Sequence, residues 1–420
     1  MIIKKTKDLK IFNFIIKEYH INEELKRLKR KKTKKIKIKG ETIAKTLFMC
    51  TFTREKSFNQ LMEKIHKRKK YRKIYQRNEH IPKMHVFREG ITELEIKNLE
   101  EINKRIIRKS KENKKYRKGS IDGLVVVGID GVETFGSYKK DWNNSYKVMK
   151  KVQAYRNGKK EEIKKEYHKQ INIFAKIVGK RPGIILGYEK VTSKGKKGKQ
   201  EYEPDVAIKL IKRLKKIYGR GIDVIVGDAI YLEEKFIKEV QEEGYEAVIR
   251  LKDNRKTVIT EAEGLFKLQE GKEYKYKNKI IKSWSEIIEY KSIKIKVVKF
   301  KEKYQKGKEE KEDVIYVVST DLGMKDKTIN KIIHERWDIE NEGFNELKNQ
   351  CQMKHCYMAN EKAIDVILQM IMMSYNLWEL YIYGHLHNFK GLKITKIGYI
   401  ESIVEAIEKA QRNEIIFSSA

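Results

Sequence analysis

The sequence predicts an α/β protein: an α/β core with an inserted β-rich region, preceded by a helical N-terminal region and followed by C-terminal helices. Three observations carry this. Between Leu124 and Leu251 short apolar runs alternate with amphipathic stretches, the pattern of strands and helices in one layered core. Before Leu124 apolar residues recur at helical spacing among dense Lys and Arg. From about 270 to 320, runs rich in Tyr, Ile and Val alternate with the period of two that marks strands.

Residues 1–118 form the helical region. ETIAKTLFMC and KSFNQLMEKIHKRKKYRK both carry apolar residues at helical spacing, and KSKENKKYRKGS, almost without apolar content, reads as a linker. The first part of the core spans 119–255. LVVVGID is a buried strand ending in Asp130, and GIILGYEKV is a second apolar run. PDVAIKLIKRLKKIYG is an amphipathic helix with Pro204 in its opening turn. DVIVGD is another buried strand, ending in Asp228; LEEKFIKEVQEEG is a helix closed by Gly244, and YEAVIRL a further strand. Residues 256–322 form the inserted β-region, 323–390 complete the core with helices, and 391–420 form a tail. The apolar stretch Ala363 to Leu386 contains Asp365, Gln369, Asn376 and Glu379, too polar for a membrane span, and reads as a buried helix.

Charge narrows the function classes. The 420 residues hold 96 Lys and Arg against 59 Asp and Glu, a net charge of +37. That surplus argues against an ordinary metabolic enzyme and for a polyanionic partner, with DNA or RNA ahead of an acidic membrane surface; double-stranded DNA is the partner expected once the motifs below are added, with no membrane. Lys69, Lys70, Arg72 and Lys73 mark the first basic surface, and Lys294, Lys296 and Lys299 a second. Three cysteines fit a reducing, cytoplasmic compartment.

Asp130 and Asp228 each follow an apolar strand, and the carboxyl ends of strands are where open α/β sheets place their chemistry. Asp122 and Asp223 open their strands instead; Asp223 lies roughly 17 Å from Asp228 at the opposite edge. A third acid follows from helical phase. Taken as one helix, 328–349 places Ile329, Ile332, Ile333, Phe344 and Leu347 on one stripe, with Arg336 and Glu340 inside it. Glu335, Glu342 and Glu346 fall on the other side. An inward carboxylate needs a partner, either Arg336 in a purely structural pair or a metal ion. Three converging carboxylates need a cation, and an oxygen-only set suits Mg²⁺ or Mn²⁺. Two such ions serve phosphodiester chemistry.

These residues resemble those of the DDE-class insertion-sequence transposases of the cut-and-paste type. GIDGVETFGS carries Asp130, VIVGDAIYLEEKFIKEVQEEGYEAVIRLKDNR carries Asp228, and RWDIENEGFNELK carries Arg336, Glu340 and Asn341. HCYMANEKAIDVILQMIMMSYNL also matches. The resemblance implies an RNase H-like core interrupted by β-strands, and catalysis by Asp130, Asp228 and Glu340 on two Mg²⁺ or Mn²⁺ ions, with Arg336 assisting. It further implies terminal inverted repeats and target DNA as partners, a homodimer in the DNA complex, and association with the bacterial nucleoid. Two positions depart from the wider family. Ile333 stands where a Tyr is usual and Leu347 where a Lys is usual, with Lys348 one residue late and about 80° off the Glu340 face.

Other candidates have simpler readings. Cys351, His355 and Cys356 offer too few ligands for zinc. Trp337 flanks the core or stacks on a base. Asn376 is a satisfied buried amide. Lys252, Asn254 and Arg255 are phosphate contacts or a solvated turn, and GKKGKQ is a flexible Lys loop. Three alternatives to a transposase remain open from the residues: a metal-dependent nuclease or resolvase, an inactive DNA-binding protein, and a basic RNA-binding scaffold.

Overall fold

The computed structural model describes residues 2–31, 37–156, 159–194, 199–252, 256–307, 309–386, 395–411 and 414–415. Asn254 and Arg255, and most of GKKGKQ, lie outside them. The N-terminal helices are α1 (Ile2–Glu18), α2 (Ile21–Lys26), α3 (Gly40–Phe52), α4 (Phe58–Met62), α5 (Met84–Glu93) and α6 (Ile96–Glu112). Strands β1 (Val126–Ser137), β2 (Tyr146–Arg156), β3 (Lys159–Val178) and β4 (Ile185–Val191) follow, then the short pair β5 (Ser193–Lys194) and β6 (Lys199–Gln200). The chain continues through α7 (Glu203–Tyr218), β7 (Val224–Gly227), α8 (Glu234–Glu242), β8 (Glu246–Arg250) and α9 (Lys256–Phe266). The inserted strands are β9 (Lys272–Tyr276), β10 (Lys279–Tyr290), β11 (Ile293–Lys306) and β12 (Glu309–Ser319). Last come α10 (Asp326–Asp338), α11 (Asn345–Asn349), α12 (Glu361–Glu379) and α13 (Lys396–Lys409).

One sheet runs β2-β3-β1-β7-β8-β12-β11-β10-β9, with β4 also paired to β3. β1, β7 and β8 are parallel, whereas β3 and β4 are antiparallel additions. Val126, Val127, Ile129, Val224, Ile225 and Val226 are all buried, which explains their unbroken apolar runs: a parallel strand covered on both faces needs no polar alternation. The inserted β-strands form a meander joined to β8 through β12, so they extend the core sheet.

Two segments differ from the sequence reading. The expected linker 109–120 is helical to Glu112, with Ser110 and Tyr116 buried. Its Lys111 side chain covers the Tyr116 and Tyr218 rings (4.7 and 5.4 Å), so a Lys-rich stretch is packed through its aliphatic stems. Strands β2 and β3 have no counterpart in the sequence analysis. Residues 160–167 of β3 pair only with β2 among the described residues, making a two-stranded ribbon that carries no clean apolar face.

The N-terminal helices share a core with the C-terminal ones. The Phe52 ring stacks on Trp378 (4.4 Å), Trp378 Nε1 donates to the Phe52 carbonyl (3.0 Å), and Thr51 meets Ser374 (2.7 Å). Asn376 is satisfied as expected: Oδ1 accepts from Ile185 N (2.8 Å), and Nδ2 donates to the Ile185 carbonyl and to Asn103. Two lysines expected on DNA are engaged internally. Lys70 pairs with Glu408, and Lys73 Nζ donates to the Glu408 carbonyl (2.8 Å).

Candidate active site

Strand register brings the two aspartates together. Val126, Val127 and Gly128 of β1 lie opposite Val224, Ile225 and Val226 of β7. Two residues further along come Asp130 and Asp228; Asp228 lies just past the end of β7, as expected, but Asp130 does not end its strand, because pairing with β3 carries β1 on to Ser137. Gly131 N donates to Asp130 Oδ1 (2.9 Å). Asp228 caps the single turn Ala229–Tyr231, where Ile230 N donates to its Oδ1 (3.1 Å), and Lys252 Nζ donates to its Oδ2 (2.9 Å). The expected phosphate contact Lys252 is therefore on the carboxylate itself. Asp122 and Asp223 take structural partners elsewhere: Thr328 and Lys331 donate to Asp122, and Val125 N donates to Asp223.

The glycines flanking Asp130 explain how other elements reach it. A Cβ on Gly128 would lie 2.7 Å from Ile339 Cδ1, and one on Gly131 would lie 2.9 Å from Glu203 Oε2. Residues 128 and 131 face opposite sides of the sheet. The helix carrying Glu340 thus closes over one face of the strand and Glu203 approaches from the other. Bare backbone at both positions permits this.

The helix over 328–349 is not one continuous α-helix. α10 ends at Asp338, a π-helical segment spans Ile339–Phe344, and α11 resumes at Asn345. Ile329, Ile332, Ile333, Phe344 and Leu347 are buried as expected, and Arg336 is only 3% exposed. Glu346 is not on the outer side as expected. It is buried and pairs with Arg54 (2.7 Å) and Lys396 (2.7 Å). The wider π winding accompanies this inward turn of Glu346, while Phe344 and Leu347 keep the expected burial. The side chains of Glu340 and Asn341 lie outside the described residues. Their backbone sits in the π segment, next to the Ile339 that packs on Gly128.

The inserted meander fixes α10 in place. Glu302 of β11 is fully buried and accepts from Lys279 Nζ (2.7 Å), Asn330 Nδ2 (2.7 Å) and His334 (2.6 Å). Burial pushes its carboxyl up, but His334 and Lys279 more than offset this and hold it at about 2. Trp337 sits half-buried between the Arg250 guanidinium (5.0 Å) and the His334 ring (5.7 Å), a flank of the core.

Sequence reasoning missed Glu203 and Tyr231. The Glu203 carboxyl is pushed above its usual range by burial and by the Asp228 charge. Tyr231 is fully buried, and among the described residues its hydroxyl has no hydrogen-bond partner. That hydroxyl is pushed far above its ordinary value by burial, then by the charges of Asp130, Glu203 and Asp228, with Arg336 opposing. The Gly on each side of Asp130 was the one available signal.

The donors present suit a hard divalent cation. They are oxygens, and the Lys252 ammonium already takes a cation's place on Asp228. Among the described residues no three His, Cys, Asp or Glu side chains are grouped closely enough to hold a metal ion. Mg²⁺ tolerates this, because it keeps several waters and takes one or two carboxylates together with substrate phosphates. The cysteines Cys351 and Cys356 are buried and free. No helix among the described residues is long and apolar enough to cross a membrane.

The family model for the transposase DDE domain matches residues 136–377, more than half of the chain, and so includes Asp228, Arg336 and Glu340 while beginning six residues after Asp130. No curated protein matches the chain.

Proposed function

The chain belongs to the DDE transposase family, and on that premise we propose that it cuts DNA at the ends of a mobile element and joins them to target DNA. Asp130, Asp228 and Glu340 would hold two Mg²⁺ or Mn²⁺ ions. Bound there, the ions supply the charge that activates an attacking oxygen and stabilises a leaving one. Asp130 and Asp228 fix position along the sheet edge. Arg336, one turn before Glu340 and buried, would orient that carboxylate and balance its charge. Lys252 is exposed enough to leave Asp228 for a phosphate oxygen. Water attacks a phosphodiester at the element end and frees a 3′-hydroxyl, which then attacks target DNA. The observation that supports this reading is the parallel pairing of β1 with β7 up to Gly128 and Val226, two residues before Asp130 and Asp228.

The duplex would run past the carboxyl ends of β1 and β7, where the β2–β3 ribbon projects. There Lys150 faces Lys165 and Lys151 faces Lys164 directly across the strands. Lys151 pairs with Glu162 (2.7 Å) and Lys150 lies 3.8 Å from Glu133, which leaves Lys164 and Lys165 as the charges offered to DNA phosphate. The N-terminal helices add further contacts, and the protein acts as a homodimer on paired ends.

A labelled duplex carrying the DNA that flanks the gene tests the reading. With Mg²⁺, the wild-type chain should release the end and produce joined strand-transfer product. Cleavage without joining would identify a nuclease or resolvase instead, and binding without cleavage an inactive DNA-binding protein.

A further inference from the structure

The π segment that carries Glu340 is seated on the sheet at three points. A Cβ on Gly128 would meet Ile339 Cδ1 at 2.7 Å, and the Phe344 ring meets the Phe174 ring edge-on at 5.7 Å. At the third point a Cβ on Gly343 would lie 2.8 Å from Lys176 Cε and 3.0 Å from its Cδ. Register gathers these seats around the first aspartate: Phe174 is the cross-strand partner of Asp130, and Lys176 that of Gly128. Two of the seats are apolar, as a packed face requires. The third is a lysine only 2% exposed. A Met there would fill similar space without the cost of burying an ammonium. The ammonium lies by Gly183, where a Cβ would come within 2.5 Å of Nζ, and Gly183 N donates to Glu379 (2.8 Å). Burial pushes the Glu379 carboxyl up, and Lys396, Arg181 and, last, Lys176 hold it low. Lys396 and Arg181 already pair with Glu379 directly, so that carboxylate alone does not account for a third cation placed under the π segment.

We propose that Lys176 is a positioning residue: its buried side chain, wedged between β3 and Gly343, fixes the π-wound backbone that presents Glu340. The inference rests on the reading of Asp130, Asp228 and Glu340 as cation ligands. Single π turns are rare and frequent at functional sites, and this one lies against the face of β1 and β3 that carries Asp130. Gly343 leaves the room that the lysine needs, since a side chain there would displace it. Lys176 acts through Glu340 and not on the DNA.

DNA cleavage by the full chain, titrated with Mg²⁺, tests this beside DNA affinity measured without metal. Lys176→Met keeps most of the side-chain bulk and removes the charge. It should raise the Mg²⁺ concentration for half-maximal cleavage by about 10–100-fold, the scale of groups that orient metal ligands from behind, and leave DNA affinity unchanged. Gly343→Ala keeps the lysine but pushes it aside, and should shift the Mg²⁺ requirement in the same direction. It carries the test alone if Lys176→Met does not fold. An unchanged requirement in folded Lys176→Met, or in Gly343→Ala where the first does not fold, would mark Lys176 as structural whatever the melting temperature. With cleavage abolished in Glu340→Gln, that result overturns the role of Lys176 alone. A lower Mg²⁺ requirement would mean that the ammonium only repels the cation, and would overturn the proposal as well. Full cleavage in Glu340→Gln would overturn the cation site itself, and the proposal with it.

Discussion

Carboxylates gather at two places in the molecule, and the two are built oppositely. At the helical end Glu379 is fully buried, yet it is surrounded by cations. Lys396 (2.6 Å) and Arg181 (2.8 Å) pair with it, Gly183 N donates to it (2.8 Å), and Lys396 also binds Glu346, itself held by Arg54. Burial pushes the Glu379 carboxyl up, but Lys396, Arg181 and Lys176 overcome this and hold it at about 2. At the strand ends Asp130, Asp228 and Glu203 share the neighbourhood of one tyrosine hydroxyl, and Glu203 is pushed up. A protein with 37 surplus positive charges has cations to spare. At the second place Lys252 Nζ pairs with Asp228 (2.9 Å), while the Glu203 carboxyl is pushed up by burial and by the Asp228 charge.

The comparison can be broken at either site. The largest effect is expected at the helical end. Lys396→Met leaves Glu379 and Glu346 buried with too little counter-charge and should cost about 3–5 kcal/mol in urea unfolding. The double variant with Glu379→Met should recover part of that loss. At the strand ends Asp228→Asn should leave folding nearly unchanged, because Asn also caps the turn at Ala229–Tyr231. Its DNA cleavage should fall by roughly 10²–10³-fold or more, the scale of losing one group that acts in the transition state.

Acid sharpens the contrast. The folded Glu379 carboxyl lies below its ordinary value of 4.5, so its stabilisation is complete above about pH 4.5 and is lost as pH falls toward 2. Thermal melts of wild type and Glu379→Gln should therefore converge as pH drops through that window. A smaller effect belongs to the ribbon. Replacing Lys164 and Lys165 with Ala should reduce the slope of log DNA affinity against log salt by about 0.9 for each phosphate contact removed, with a melting temperature no lower than that of wild type. The smallest belongs to Lys277, whose pair with Glu335 (3.3 Å) is exposed on the lysine side. Lys277→Ala should change stability by less than about 1 kcal/mol.

The two sites were unequally legible in the sequence. An apolar run that ends in Asp reads as a strand presenting a carboxylate; this holds for Asp228, just past β7, but β1 runs on beyond Asp130 to Ser137 because its later residues pair with β3. The apolar stripe of α10 was legible too, because Ile329, Ile332 and Ile333 precede any break in winding. Glu346 was misread because the π segment between Ile339 and Phe344 leaves no compositional trace. Glu203 was hidden because acids are ordinary in the first turn of a helix. The partner of Lys70, Glu408, is 338 residues away, a pairing that local pattern cannot reveal. Strands β2 and β3 escaped because the Lys-rich stretch 146–169 holds no sustained period of two in hydrophobicity.

The central claim is that a divalent cation is gripped by Asp130 of β1 and Asp228 just past β7. Fe²⁺ in place of Mg²⁺, with ascorbate and peroxide, generates radicals that cut the backbone beside the bound ion. Mapping the fragments of the full chain measures where that ion sits. The account predicts cuts near Asp130, near Asp228 and in the Ile339–Phe344 segment, all suppressed by excess Mg²⁺ and absent in Asp130→Asn. Cuts confined to other parts of the chain, or cuts that persist unchanged in Asp130→Asn, would contradict it.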